Sequence, residues 1–423
     1  MEINTHNETF DVIVVGGGFA GCGAALAAAR GGAKTLLVER VNALGGAPAT
    51  MSVNPFMRNA TRIPESGQTL KLSQGIFAEI EDELRKYGAM VNNCFNPEWL
   101  KIILNRMMLA SGVTLLFNTT LIDADRNGNR LTSITVHNKS GLTRLSAKQF
   151  IDCTGDADLA YIAGFPTRLG READGLCQPM TLNFLVGNVN LDEFYAHYDE
   201  ILPKWHAEQA KGYIKNPMDG IMLFRTTVPG VIRLNATRVV KRNPVDGWDL
   251  TAADIEAHEQ VEELWLFMRK FVKGCEECQL LYSGLQTGVR ESRMIDGEHI
   301  LSADELVACV KFEDRIAAGN YDIDIHNPEG SGTSHYFFPD GQYYTVPFAS
   351  LIPKNSVNLS VAGRCISVTH EAQASIRIMP IVCTLGEAAG TAAALACRDG
   401  KGIFDIDIKE LQAVLASNGA FIG

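Results

Sequence analysis

The chain has 423 residues, of which 46% are hydrophobic and 21% charged, with a formal net charge of −11. That length and apolar content exclude wholesale disorder and a small binding module, and call for two or three structural domains. The acidic balance, with no basic block and no aromatic residues interleaved among Lys and Arg, argues against nucleic acid or anionic membranes as main partners.

The first ten residues are polar and lack the apolar core of a signal peptide, so a cytoplasmic location is expected. Residues 10–15 then read as a buried strand that runs into Gly16, Gly18 and Gly21, spaced GxGxxG, and into an Ala- and Gly-rich helix over 20–30. This is the pattern of a phosphate-binding turn: Gly16 allows the tight turn, Gly18 lets backbone N–H groups approach a pyrophosphate, and Gly21 lets helix and strand pack closely. A second strand over 33–38 ends in Glu39, 18 residues past Gly21, where a carboxylate can accept hydrogen bonds from an adenosine ribose. The competing readings are a buried βα unit without ligand and a membrane helix over 12–29. Five glycines and the charged Arg30 argue against the span, and no other segment is expected to be long and apolar enough to cross a bilayer.

Residues 40–69 form a long connection carrying Gly45 and Gly46; loops of that length are usually functional. Helices are expected over 70–87 and 97–110, then a meander of short strands over 113–151 that ends at Asp152, Thr154 and Gly155. From 161 to 348 the pattern changes to longer strands (180–186, 230–236), a helix over 251–273 and a loop-rich stretch over 320–341. We read this segment as an inserted domain. A strand at 357–362 and an Ala-rich helix at 385–397 restore the first style, so residues 1–160 and 349–423 are assigned to one dinucleotide-binding domain. The ten cysteines are scattered, as for reduced core thiols, and the single CxxC of Cys275 and Cys278 is weak evidence for metal or redox chemistry. No metal is expected.

A nucleotide fold that opens at residue 10, breaks, and closes near 397 suits a cofactor longer than ADP, which needs several anchor points. That favours flavin over nicotinamide. The segments 288–293, 297–299, 324–326, 361–367, 370–371, 375–380 and 386–391 together resemble the FAD-dependent oxidoreductases of the glutathione-reductase-type two-dinucleotide-fold superfamily, related to fumarate reductase flavoproteins. The resemblance covers nearly the whole chain. It implies an α/β fold: a Rossmann-like FAD-binding domain, parallel sheet plus β-meander, with an inserted mixed α+β substrate or cap domain. It also implies FAD held by Gly16, Gly18 and Gly21, with Glu39 and Arg40 at the adenosine end and Gly45 and Gly46 beside the flavin. Thr154 and Gly155 then lie near the ADP moiety, Gly363 and Arg364 near the ribityl chain, and Gly386 in the late helix is counted with them.

Residues 365–384 would join strand to helix through an unusually long loop bearing His370, Glu371, Gln373 and Arg377. The helix that follows would aim its N-terminus at the flavin, where a positive dipole end stabilises developing negative charge. His370 is the candidate proton carrier, with a structural histidine as the alternative. Arg377 and Arg290 are candidates for pairing with a carboxylate or hydroxyl-rich substrate; the alternative for Arg377 is an ion pair to Glu371 or to a FAD phosphate. Arg290 and Arg293 would share a face if helical, one of them serving a structural ion-pair network. His326, His335, Tyr343 and Tyr344 could cap the flavin. The expected function is FAD-dependent hydride transfer to or from a small polar metabolite, at a CH–OH or CH–CH bond. The alternatives are a non-redox dinucleotide-binding scaffold and an NAD-binding protein of the thiazole-synthase type.

Overall fold

The computed structural model describes residues 3–5, as backbone, and residues 9–423. Strand β1 (Phe10–Val15) leads into helix α1 (Phe19–Arg30) and strand β2 (Thr35–Val38), followed by β3 (Thr114–Leu116) and the meander β4 (Thr120–Asn127), β5 (Arg130–Asn138) and β6 (Gly141–Asp152). The order β3-β2-β1-β6 is parallel throughout, and the late strand Leu359–Val361 adds in parallel on the far side of β6. The β6 strand has twelve residues and serves two sheets. Its second half pairs with β1, while its first half pairs antiparallel with β5.

The unbroken apolar runs of β1 and β2 follow from cover on both faces. Val12, Val14 and Leu37 enter the core beneath the helices; Ile13, Val15, Leu36 and Val38 enter the one on the meander side. On the helical face, α1 is crossed backbone to backbone by the late helix Met379–Asp399. A Cβ on Gly23 would lie 2.4 Å from the Cys383 carbonyl oxygen, and one on Gly386 1.9 Å from that of Ala20. Gly386 is therefore a packing residue between two helices, a correction to its assignment as a cofactor contact.

That late helix begins six residues before the expected start at 385, because Pro380 stands in its first turn, where a missing N–H costs nothing. With its full 21 residues it is long and apolar enough to cross a membrane, contrary to expectation, yet 94% of its most apolar window is buried in this core.

The insertion contributes an antiparallel sheet of β7 (Phe184–Gly187), β8 (Met222–Arg225), β9 (Ile232–Asn235) and β10 (Gln279–Ser283), in the order β8-β9-β7-β10. A 25-residue helix, Gly247–Phe271, accompanies it and starts four residues before the expected 251 because the Asp246 side chain accepts the N–H groups of Trp248 and Asp249. The separate core of this unit draws on residues from Met180 to Cys278, with Val289 packed against it. Met294, Ile316, Tyr344, Phe348 and Leu351 pack instead into the first core. The stretch with its own core is thus shorter than 161–348, because periodicity shows that a strand is half-buried but not against which core. Cys275 and Cys278 are buried, unpaired thiols in the second core.

Glu387 of the late helix is buried and accepts the Ile76 N–H (3.0 Å) at the start of the helix Ile76–Lys86. Burial pushes its pKa up from 4.5 to about 7, against the lowering effect of that hydrogen bond. Between those two values the folded chain holds a proton that the unfolded chain has released, so this group makes stability fall as pH rises from 4.5 through 7. A shift of that size corresponds to about 3 kcal/mol. Thermal unfolding from pH 5 to 8 should show Glu387→Gln losing less stability with pH than the wild type; parallel curves would refute it.

Candidate active site

The turn after β1 has the geometry of a phosphate cradle. Gly16 has φ +101°, and a Cβ there would lie 2.4 Å from the Cys153 carbonyl oxygen; at Gly21 it would meet the Gly16 carbonyl oxygen at 1.8 Å. Gly18 caps α1 without any side-chain hydrogen bond, so the first turn of the helix offers its N–H groups to the cleft. Gly45 donates its N–H to Gly17 O (2.8 Å), and the Gly46 backbone lies against Gly18. At one end Glu39 accepts the Gly17 N–H (2.6 Å) and the Val41 N–H (2.9 Å), which fixes its carboxylate at the cleft wall. Arg40 reaches across to the Gln286 side chain (2.8 Å), closing the cleft there. Thr154, Gly155, Gly363 and Arg364 line the rest of this ≈260 Å³ space. Arg364 donates to Asp156 (2.5 Å), while its buried Nε has no partner among the described residues.

The cleft opens into a cavity of ≈820 Å³, and Ala47, Met51, Arg364, Arg377 and Met379 border both. The N-terminus of the helix Met379–Asp399 is therefore at the junction. Most of the cavity wall is apolar, including Met57, Ile201, Leu202, Met218, Met222 and Phe224. One group of its polar residues gathers around a hairpin of β11 (Ile323–His326) and β12 (Thr333–Tyr336), and another, with Arg233 and Asn235, lies on the sheet of the insertion. Asp324 accepts the Tyr321 hydroxyl (3.2 Å) and lies 3.9 Å from the Arg377 guanidinium. Burial alone would raise its pKa, but the His326 hydrogen bond and the nearby positive charge outweigh that and hold the carboxyl well below the usual range. Burial and the Arg290 charge push the pKa of His326 down to about 3. Its Nδ1 faces the donors Arg238 (3.4 Å) and Thr333 (3.2 Å), so the neutral ring carries its proton on Nε2, toward Asp324 (3.5 Å). Burial and Asp324 keep Tyr321 protonated well above its ordinary pKa. His335, 38% exposed, stands 3.7 Å from both Asp322 and Asp324 and stacks on Phe337.

Arg290 donates to Pro179 O and to Thr181 Oγ1, both at 2.6 Å, and has no carboxylate partner among the described residues. Burial and the neighbouring Arg377 push its pKa down to about 9. Arg377 Nη1 is buried without a partner. That Nη1 is a donor waiting for an acceptor.

A family model described as FAD dependent oxidoreductase matches residues 11–415. The chain belongs to the FAD-dependent oxidoreductase family. Its fold is similar to a geranylgeranyl bacteriochlorophyll reductase-like protein from Thermoplasma acidophilum (13% identity, 98% of this chain and 84% of that one, TM-score 0.49). It is also similar to p-nitrophenol 4-monooxygenase from Pseudomonas putida (10% identity, 99% and 90%, TM-score 0.47) and to the flavin-dependent brominase Bmp2 (10%, 97% and 83%, TM-score 0.46). The cleft fits the family's cofactor. An uncapped helix turn, glycines that leave no room for side chains and the orphaned Nε of Arg364 are what a dinucleotide requires.

In this FAD-dependent oxidoreductase, Gly16, Gly18, Glu39, Arg40, Gly45, Gly46, Thr154, Gly155, Gly363 and Arg364 all line the cleft, and Gly21 supports the turn from behind. His370 does not join them. Its Nδ1 pairs with the buried Glu291 (2.8 Å), and the ring faces a separate surface hollow with Arg171 and Glu371. It is corrected from proton carrier to structural histidine, because the short helix His370–Ile376 inside the supposed loop turns it away from the cavity. Arg377 pairs with Asp324 rather than Glu371, and Arg290 does reach the cavity. Arg293 lies in a strand and pairs with Asp158, the structural role expected for one of the two. His326 and His335 line the cavity, whereas Tyr343 and Tyr344 do not. Gln286 was missed, and nothing local could have revealed it: its partner Arg40 is 246 residues away.

Proposed function

We propose that the enzyme transfers a hydride between FAD and a substrate with a largely apolar body and a hydroxyl or carboxylate at its reacting end. The carrying observation is the junction: an ≈820 Å³ cavity, mostly apolar but with polar groups around Arg290, Arg377 and the Asp324 cluster and on the insertion side at Arg233 and Asn235, meets the cofactor cleft where Arg377 and Met379 border both. This enlarges the small polar metabolite expected from the sequence, which would leave the methionine-rich wall uncovered.

FAD supplies the two-electron chemistry when bound. Arg377 binds the oxygen of the substrate through its unpaired Nη1, and Arg290, which has no carboxylate partner among the described residues, helps to orient it by its charge. The dry wall excludes water from the reacting bond. His335, held between two carboxylates and partly exposed, takes or returns the hydroxyl proton and exchanges it with solvent. A cytoplasmic setting is part of this proposal, supported by ten unpaired cysteines.

An absorption spectrum of the purified protein, with mass identification of the released cofactor, should show FAD. An anaerobic screen should then show bleaching by medium-chain or aromatic hydroxy compounds and acids. Bleaching by small sugars alone would sink the apolar-substrate reading, and an oxidised flavin throughout would favour the scaffold alternative.

A further inference from the structure

Strand β9 reads Ile232, Arg233, Leu234, Asn235, and its alternation divides cleanly. Ile232 and Leu234 enter the second core, while Arg233 and Asn235 share the opposite face, which forms part of the cavity wall. The cross-strand neighbours on that face are apolar: Phe224 opposite Arg233 and Met222 opposite Asn235. Arg233 is only 1% exposed. Its Nη1 donates to Asn183 Oδ1 (3.1 Å) and weakly to Ser52 O (3.4 Å), and its guanidinium lies over the Phe224 ring at 4.2 Å. Its Nε is buried without a partner, and no carboxylate pairs with it among the described residues. Asn235 Oδ1 is likewise buried and unpaired, and a half-turn of that amide would present its N–H₂ instead.

An arginine cannot shed its proton, so this charge stays in an apolar wall with only neutral dipoles and a ring face to offset it. Such a group destabilises the empty protein and is relieved by an anion. From this we infer that Arg233, assisted by Asn235, is an anion anchor on the insertion side of the cavity, one that docks an oxyanion, a carboxylate in the first instance, carried by the substrate. It is distinct from Arg290. Their fixed partners Asn183 and Thr181 are two residues apart in extended chain, a spacing of roughly 7 Å. Nor does Arg233 border the cofactor cleft. The substrate thus has an acidic group seated at Arg233, an apolar body on the Met222 and Phe224 wall, and its reacting carbon toward Arg377. This deepens the reading of the preceding section and rests on it for the cavity being the substrate's.

The test uses FAD-loaded enzyme with decanoate and its uncharged counterpart 1-decanol as probes, binding being followed by perturbation of the flavin spectrum and by calorimetry. Wild type should prefer decanoate by about tenfold or more. Arg233→Met should reduce that preference to about threefold or less, Arg233→Lys should restore part of it, and Arg290→Gln should leave most of it. In the absence of ligand, Arg233→Met should also melt higher than wild type with unchanged FAD content, since it removes an uncompensated buried charge. The proposal is overturned if wild type shows no preference for decanoate, if Arg233→Met keeps it, or if that variant melts lower. A failed bleaching screen alongside the expected binding pattern would unseat the redox reading alone.

Discussion

Replacing Arg377 by glutamine should lower the midpoint potential of the bound flavin by about 30–60 mV. The guanidinium borders both the cofactor cleft and the substrate cavity, at the junction where the N-terminus of the late helix also lies. With flavin seated in that cleft, a unit charge at a separation of about 6 Å and an effective dielectric of about 20 would be worth about 3 kcal/mol. For a two-electron couple that is about 60 mV. Asp324, 3.9 Å from the guanidinium, offsets part of the charge, which sets the lower figure. Losing a positive charge there makes the reduced, more negative flavin harder to form, so the potential falls. Equilibration of the reduced enzyme with a dye of known potential measures the difference. An unchanged potential would mean that Arg377 acts only on substrate.

The second large effect is on cofactor retention. Gly46→Ala should emerge from purification with less than about a tenth of the wild-type flavin. Gly46 has φ +63° and ψ −115°, a conformation costing an L-residue about 1–3 kcal/mol, and its Cβ would stand 2.9 Å from the Gly18 Cα. The relief available is to push Gly18 into the space that the pyrophosphate needs. Gly128→Ala is the control: its φ is +59°, but nothing lies within 4 Å of a Cβ there. Equal loss of flavin in the two variants would assign the effect to strain in general and not to the cradle.

These two sites differ in how visible they are along the chain. The cradle was legible because its parts are local: β1, the three glycines, α1 and Glu39 fall within 30 residues, and each glycine answers to a turn or a close approach. Gly45, Gly46, Thr154 and Gly155 were placed by the family resemblance. Arg290 and Arg377 were recognisable as candidates for pairing with substrate, although Arg290 proved to lie in a bend and not in a helix. His370 misled because its partner, Glu291, is 79 residues away and a short helix decides which way the ring points. Arg233 escaped for a different reason. Alternation of apolar and polar residues along β9 normally marks a strand with one wet face, and only the tertiary fold shows that this face is covered by a cavity wall.

The twelve-residue strand shared by the two sheets also bears on the order in which the molecule can be made. Its second half is flanked by a strand from the first fifteen residues and by Leu359–Val361, while α1 waits for a helix that begins at Met379. During synthesis, a nascent chain that already carries the whole phosphate turn must keep the apolar side of α1 and one edge of β6 uncovered until the segment from Leu359 to Asp399 has been made. Cofactor capture is then a late event, and a chain stalled between the two halves would be a substrate for chaperones rather than a smaller flavoprotein.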